Sequence, residues 1–191
     1  MSSFMTPEEI DQVGFKCIGK NVLISKKASF YSPENITLGD NVRIDDFCIL
    51  SGKISVGSYV HIAAYSALFG GIEGVVICDF CNISSRVTIY ALSDDYSGES
   101  MTSPLIPDEY KNVEHKKTVL EKHVIIGSNS VVLPGAVLAE GSSYGAFSLV
   151  KSKTEPWSIY AGIPCKKIKK RSKKLLDLEN EFLKNIAEKQ K

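Results

Sequence analysis

The sequence predicts an all-β chain, a parallel β-helix of about six coils with one long inserted loop and a C-terminal α-helix. Three observations predict it. Aliphatic residues return every six positions over most of the chain, turn-forming residues fill the intervals, and an apolar stripe at helical spacing closes the sequence.

Taken in order, Thr6-Pro7-Glu8-Glu9 is a capping-box start, so residues 1–16 are expected to form a helical cap. The repeat opens with Ile18, Ile24 and Phe30. It continues through Leu38, Ile44, Leu50, Val56, Ile62 and Leu68, then Ile77, Ile83 and Ile89. After a break it resumes with Leu120, Ile126, Val132, Leu138, Tyr144 and Val150. Four residues after most of these comes a small or β-branched residue, such as Val42, Cys48, Ser66, Val87, Ser130 or Ser148. An isolated helix needs apolar returns at three and four residues and an amphipathic strand at two, so a period of six fits neither. Short strands joined by Gly, Asn and Asp turns do fit, with three hexads to a turn and each inward residue stacked on the one eighteen later. Eighteen inward positions give about six coils over residues 18–155.

Two register slips, at 30–38 and around Gly70-Gly71-Ile72-Glu73-Gly74, read as small corner insertions. Residues 93–117, with Pro104 and Pro107, form a polar loop long enough to suggest a functional role. Residues 156–191 form a tail and a helix, with Leu175, Leu176, Leu178, Phe182, Leu183 and Ile186 as the packing stripe. The whole of 1–191 is expected to be a single domain.

A hydrophobic fraction of 43% and a formal charge of +1 exclude a disordered chain. With no signal-like start and no long uncharged apolar run, the expected location is the cytoplasm, without membrane insertion. The five cysteines then read as free thiols, and Cys78-x-x-Cys81, with no second pair, as packing rather than a metal or redox site. Seven of the nine residues from Lys166 to Lys174 are Lys or Arg, which suits either a solvated helix face or anion binding. Without interleaved aromatics, this stretch does not indicate nucleic-acid binding.

Residues 14–170 resemble the left-handed β-helix acetyltransferases built on hexapeptide repeats, in the branch that modifies galactosides, maltose and surface polysaccharides. The most specific stretch is Val124-Ile-Ile-Gly-Ser-Asn-Ser-Val-Val-Leu-Pro-Gly-Ala-Val, followed by Glu155-Pro156 and Ala161-Gly-Ile-Pro-Cys-Lys-Lys-Ile168. The resemblance supplies the left hand of the helix. It also implies acetyl-coenzyme A as co-substrate, no metal, a sugar or nucleotide-sugar acceptor, a role in lipopolysaccharide biosynthesis, and a homotrimer with sites between adjacent copies.

Acetyl transfer needs an acceptor amine or hydroxyl, a group to take its proton and donors for the developing oxyanion. The resemblance puts pantetheine contacts at Gly127, Ser128, Gly145 and Ala146, with coenzyme A phosphates near Lys151, Lys166 and Lys169. Asp94 stands where the family commonly has a basic histidine, so the base is left open among Asp94, Asp95, His115 and His61. His115 closes the inserted loop. His61 shares a hexad position with Arg43, Asn82 and Ile125 and should point outward from one flat face, while His123 is expected to be exposed in a turn. Asn82, Arg86, Tyr90 and Tyr96 are the candidate sugar contacts. Two rival readings share the fold: a non-catalytic scaffold presenting a flat face, which the long loop and the Ala161-Gly-Ile-Pro tail disfavour, and a carbonic anhydrase needing three histidine ligands, which the spacing of His115 and His123 opposes.

Overall fold

The computed structural model describes residues 3–189, so the ends of the expected cap and tail, 1–2 and 190–191, lie outside the described residues. Short strands pair in parallel from turn to turn and build three walls. On the first, Ile18, Leu38, Val56, Ile77, Leu120 and Leu138 pair in succession. On the second, Ile24, Ile44, Ile62, Ile83, Ile126, Tyr144 and Tyr160 do so. Phe30, Leu50, Leu68, Ile89, Val132 and Val150 form the third. Six turns are complete, and Ser158–Ala161 begins a seventh, carrying the second wall past residue 155. Each fully buried aliphatic is worth roughly 1.5–3 kcal/mol before entropy is counted, so the turns are stable only as a stack.

The residue four places on is a second inward position, which explains why serine occurs there. Ser66, Ser130 and Ser148 are buried, and each hydroxyl donates to a carbonyl of a corner turn: Ser66 to Ser84, and both Ser130 and Ser148 to Gly145. A serine fits the space and ties the corners together without leaving a polar group unsatisfied.

Three residues after the inward position the backbone turns left-handed. At the first corner this residue is Asn21, Asn41, Tyr59, Phe80, His123 and Gly141; at the second it is Phe47, Tyr65, Arg86, Asn129 and Phe147. A non-glycine residue there costs about 1–3 kcal/mol. Stacking between successive turns offsets part of it: Tyr59 lies on Phe80 at 4.9 Å, Phe80 on His123 at 5.3 Å, and Phe47 on Tyr65 at 4.9 Å.

The glycine-rich slip lies at the corner between the third and first walls, as expected, and the chain stays extended through it. Ala67–Ile77 is one continuous strand paired with Ile49–Val56, the extra residues being absorbed as register shifts around Gly52. Space decides this, because a Cβ on Gly70 would sit 2.0 Å from the Lys53 carbonyl oxygen. The other slip contains a 3-10 turn, Pro33–Asn35.

Helix α1, Pro7–Val13, has the expected capping box, in which Thr6 Oγ1 accepts from the Glu9 amide and Glu9 accepts from the Thr6 amide. It ends at Gly14, in the left-handed region, so the rest of the expected cap is not helical. At the other end, Lys166–Lys170 is a strand and not a helix face, antiparallel to Ser158–Ala161. Its exposed lysines cover the final sheet edge, where charge opposes edge-to-edge pairing.

Helix α2, Leu175–Lys189, packs along the first corner, with Phe182 edge-on to Tyr59 and Phe80. His123, expected in solvent, is buried beneath it, and its Nε2 lies 2.9 Å from Glu179. Arg171 Nη1 donates to the carbonyls of His123 and Gly141 at 2.9 and 3.0 Å. Burial alone would raise the Glu179 pKa, but hydrogen bonds from Lys122 and His123 outweigh it and hold the carboxyl below its ordinary value of 4.5. This stabilisation is present above the unfolded value and is lost as pH falls through the folded one. Hydrogen exchange in α2 should therefore accelerate below about pH 4.5, ahead of the β-helix. Glu179→Gln should produce the same fraying at neutral pH, at a cost of about 1–3 kcal/mol. Unchanged α2 exchange in that variant would show that the ring contacts alone hold the helix.

Candidate functional site

Along the third wall, the residue after each inward aliphatic points outward by strand alternation. On the last four turns these residues are Phe69, Tyr90, Leu133 and Lys151, and they floor a cleft of about 870 Å³. Phe69 and Tyr90 stack at 5.2 Å. The roof comes from the inserted loop, whose root is a two-stranded antiparallel neck pairing Leu92 with His115 and Ser93 with Glu114. Leu92, Asp94, Tyr96, Glu114 and Lys116 line the cleft from that side. Tyr90, Asp94, Tyr96 and Lys151, each singled out from the sequence, thus come together.

His115 does not join them. In the neck it alternates with Glu114 and Lys116, so it turns away from the cleft and packs against Gly71, its Nδ1 buried without a hydrogen-bond partner. Asp95 is also tied down: it accepts from the Ser97 and Ser100 amides and from the Ser100 hydroxyl, at 2.8, 3.1 and 2.7 Å. Those bonds pull its pKa down to about 2, and so poor a proton acceptor serves as a loop staple. The Asp94 carboxylate is exposed and makes no hydrogen bond among the described residues.

His61 stands on the second wall between Arg43 and Asn82, in the expected outward column. Its Nε2 lies 2.8 Å from Asp45, which also accepts from Arg43 at 2.7 Å. Burial works to raise the Asp45 pKa, but these two bonds prevail and lower it. Asn82 opens on a hollow beneath α2, and the Arg86 guanidinium lies over the Tyr65 ring at 5.5 Å. His61, Asn82 and Arg86 are therefore apart from the cleft.

Gly127-Ser128 and Gly145-Ala146 are neighbours on successive turns, in a column that includes Ser84-Ser85 below and Ala161-Gly162 above. The glycines have a purely internal reason to be there, since a Cβ on Gly127 would lie 2.4 Å from the Ala146 amide nitrogen, within the next turn. Gly127→Ala should accordingly lower the melting temperature even without ligand, at about 1–3 kcal/mol for overpacking. An unchanged melting temperature with weakened coenzyme A binding would instead assign the glycine to cofactor approach. Lys166 and Lys169 stand exposed on the edge strand, opposite Ala161 and Ile159.

Burial raises the thiol pKa values of Cys48 to about 11 and Cys81 to about 12, and Cys81 Sγ donates to the Glu121 carbonyl at 3.2 Å. These are the properties of packed thiols, opposite to those of redox cysteines. The three histidines lie in different places, one on a wall, one in the neck and one under α2. No group of three or more His, Cys, Asp or Glu able to hold a metal occurs among the described residues.

Glu114 and Lys116 were not singled out from the sequence, although strand alternation opposite His115 would have found them. Phe69 and Leu133 carried a similar signal, one residue after an inward position.

No family model matches the chain. It is 48% identical over 183 residues to dTDP-4-amino-4,6-dideoxy-D-glucose acyltransferase of Escherichia coli, covering 94% of this chain and 95% of that one. It is 34% identical over 146 residues to WbbJ of Escherichia coli strain K12, named for O-acetyl transfer in lipopolysaccharide biosynthesis, covering 72% and 69%. Among solved structures, the N-acyltransferase AntD of Bacillus cereus, in complex with dTDP and 3-hydroxybutyryl-CoA, superposes with a TM-score of 0.95. The two chains are 55% identical, over 98% of this chain and all of that one (100%).

Proposed function

Because this chain belongs to the left-handed β-helix, hexapeptide-repeat acyltransferases, we propose that it transfers an acyl group, acetyl in the first instance, from coenzyme A to the amine of a dTDP-linked amino sugar. The observation that carries this reading is the cleft uniting Asp94, Glu114 and Lys116 of the loop with Tyr90 and Lys151 of the third wall. The E. coli relative, named for a dTDP-linked 4-amino sugar, supports an amine acceptor over a hydroxyl. Crystallised variants of AntD alter its Ser84 and Asp94, and this chain has a serine and an aspartate at the same numbers.

When bound, the coenzyme A thioester supplies the acyl group, which passes to the sugar nitrogen as the carbon–sulfur bond breaks and the free thiol is released. The column of small residues at Gly127, Ser128, Gly145 and Ala146, with Lys151, Lys166 and Lys169, suits the pantetheine arm and the phosphates. Asp94 orients the acceptor amine, takes up its proton as the nitrogen becomes an amide, and returns that proton to the departing thiolate. Tyr90, Tyr96 and Glu114 hold the sugar and keep water from it.

Asp94 belongs to the cleft, whereas Ser84 belongs to the corner between the second and third walls. A site using both needs two copies of the chain, which supports a homotrimer with interfacial sites, formed by one acyltransferase domain over 1–191. Five unpaired cysteines support a cytoplasmic location, within surface-polysaccharide biosynthesis. No helix among the described residues is long and apolar enough to cross a membrane.

Calorimetric titration with acetyl-CoA, followed by thiol release against dTDP-linked amino sugars, free amino sugars and plain hexoses, tests the reading. Turnover on the nucleotide-linked amines alone would establish it. Absence of coenzyme A binding would leave the scaffold alternative.

A further inference from the structure

The end of the β-helix beyond its sixth turn carries a charge that the rest of the chain does not. Residues 151–174 hold nine Lys or Arg and one acid, Glu155, whereas the remainder holds fourteen Lys or Arg and twenty-one Asp or Glu. The net charge of +1 therefore hides a cationic end on an anionic body. Glu155 is already paired with Lys167, and Arg171 is committed to the carbonyls of the first corner. Lys151, Lys166 and Lys169 are the three assigned to coenzyme A phosphates. Lys153, Lys170, Lys173 and Lys174 remain, all exposed and without an ion pair among the described residues, Lys173 lying over the Trp157 ring at 5.5 Å. Two isoleucines stand among these lysines, 73% and 62% exposed: Ile163, just after Ser158–Ala161, and Ile168, the extra residue where Lys166–Lys170 slips register against that strand. Protection of the sheet edge requires charge alone, and exposed aliphatics work against it. Their presence calls for a partner that is both anionic and apolar.

We propose that this end of the β-helix docks peripherally on an anionic lipid surface, with its lysines on the headgroups and Ile163 and Ile168 at the acyl boundary. Such a surface offers negative charge as a sheet with an apolar layer directly beneath it, which matches lysines interleaved with aliphatics. A nucleic acid would match the charge but not the isoleucines, and it would call for exposed rings on which bases stack. The rings at this end, Trp157 and Tyr160, are buried. The anionic body is repelled by the same lipid surface, so the chain stands on this end and not along its side. Docking of this kind goes beyond acyl transfer and does not depend on it.

The test is cosedimentation of the full chain with vesicles of phosphatidylcholine alone and of phosphatidylcholine mixed with an equal part of phosphatidylglycerol, at about 0.1 M salt. The parent should sediment with the mixed vesicles and stay in solution with phosphatidylcholine. Raising the salt to about 0.5 M should weaken binding at least tenfold, because surface charges are then screened. Each lysine close to such a surface is worth roughly fivefold in affinity, so combining Lys153→Gln, Lys170→Gln, Lys173→Gln and Lys174→Gln should lower it by about a hundredfold or more. Ile168→Ser alone should lower it by roughly three- to tenfold. Melting temperature and gel filtration report that the variants are folded, and the salt series on the parent needs no variant. Saturating coenzyme A, or duplex DNA at the same phosphate concentration as the lipid, should leave most of the chain on the vesicles. The docking is overturned by a parent that ignores the mixed vesicles or binds both kinds equally, and by folded lysine or Ile168 variants that sediment as the parent does. It is overturned as well if coenzyme A or DNA strips the chain from the vesicles, which would assign the lysines to the cofactor or to nucleic acid. Thiol release measured without vesicles judges the acyltransferase reading separately.

Discussion

Asp94→Asn is expected to lower turnover by about a hundredfold or more, the usual range for removing a proton acceptor from a transition state. The substitution preserves shape and one acceptor oxygen but cannot take up the proton that leaves the attacking amine. Asp94 is exposed and makes no hydrogen bond among the described residues, so no structural bond is lost. Melting temperature and coenzyme A affinity should be those of the parent, and thiol release under saturating substrate should collapse. Turnover within threefold of the parent would remove Asp94 from proton transfer and leave catalysis to positioning of the amine. His115→Ala, a change on the far side of the neck, should preserve turnover to within a few-fold.

Ile126→Asp is expected to abolish folding. Ile126 has 0% exposure and is paired on either side with Ile83 and Tyr144, in the interior of the second wall. Removing its side chain costs about 2–5 kcal/mol, and a carboxylate there adds the penalty of an unpaired buried charge. The sum rivals the whole stability of an ordinary domain, about 5–15 kcal/mol, and a stack cannot give up one interior turn alone. Circular dichroism and gel filtration should report an unfolded or aggregated chain. Ile125→Asp, one residue earlier and pointing outward, should remain folded. A folded Ile126→Asp with the parent's melting temperature would refute the assigned register.

The site was less legible than the fold. Tyr90, Asp94, Tyr96 and Lys151 meet in the cleft, while Asn82, Arg86 and His61 belong to another wall and corner, and Asp95 is bound to its own loop. Sequence distance from the loop could rank His115 as a candidate base but could not say which way its ring points. That depends on the pairing of Leu92 with His115, which only the closed neck establishes.

What the sequence by itself determined is the stack: the inward ladder from Ile18 to Val150, the capping box at Thr6 and the apolar stripe of the final helix. These are properties of period and neighbourhood, because each turn repeats the environment of the one before, so a residue's burial follows from its place in the hexad. Only the tertiary structure decided that α2 roofs the first corner and leaves the second open, burying His123 against Glu179, 56 positions away. It also decided that the extra glycines extend a strand, and that the loop faces the third wall with Glu114 and Lys116 inward. The physical reason is that such contacts join segments whose local patterns are independent. Their formation depends on the space and partners that the completed stack provides.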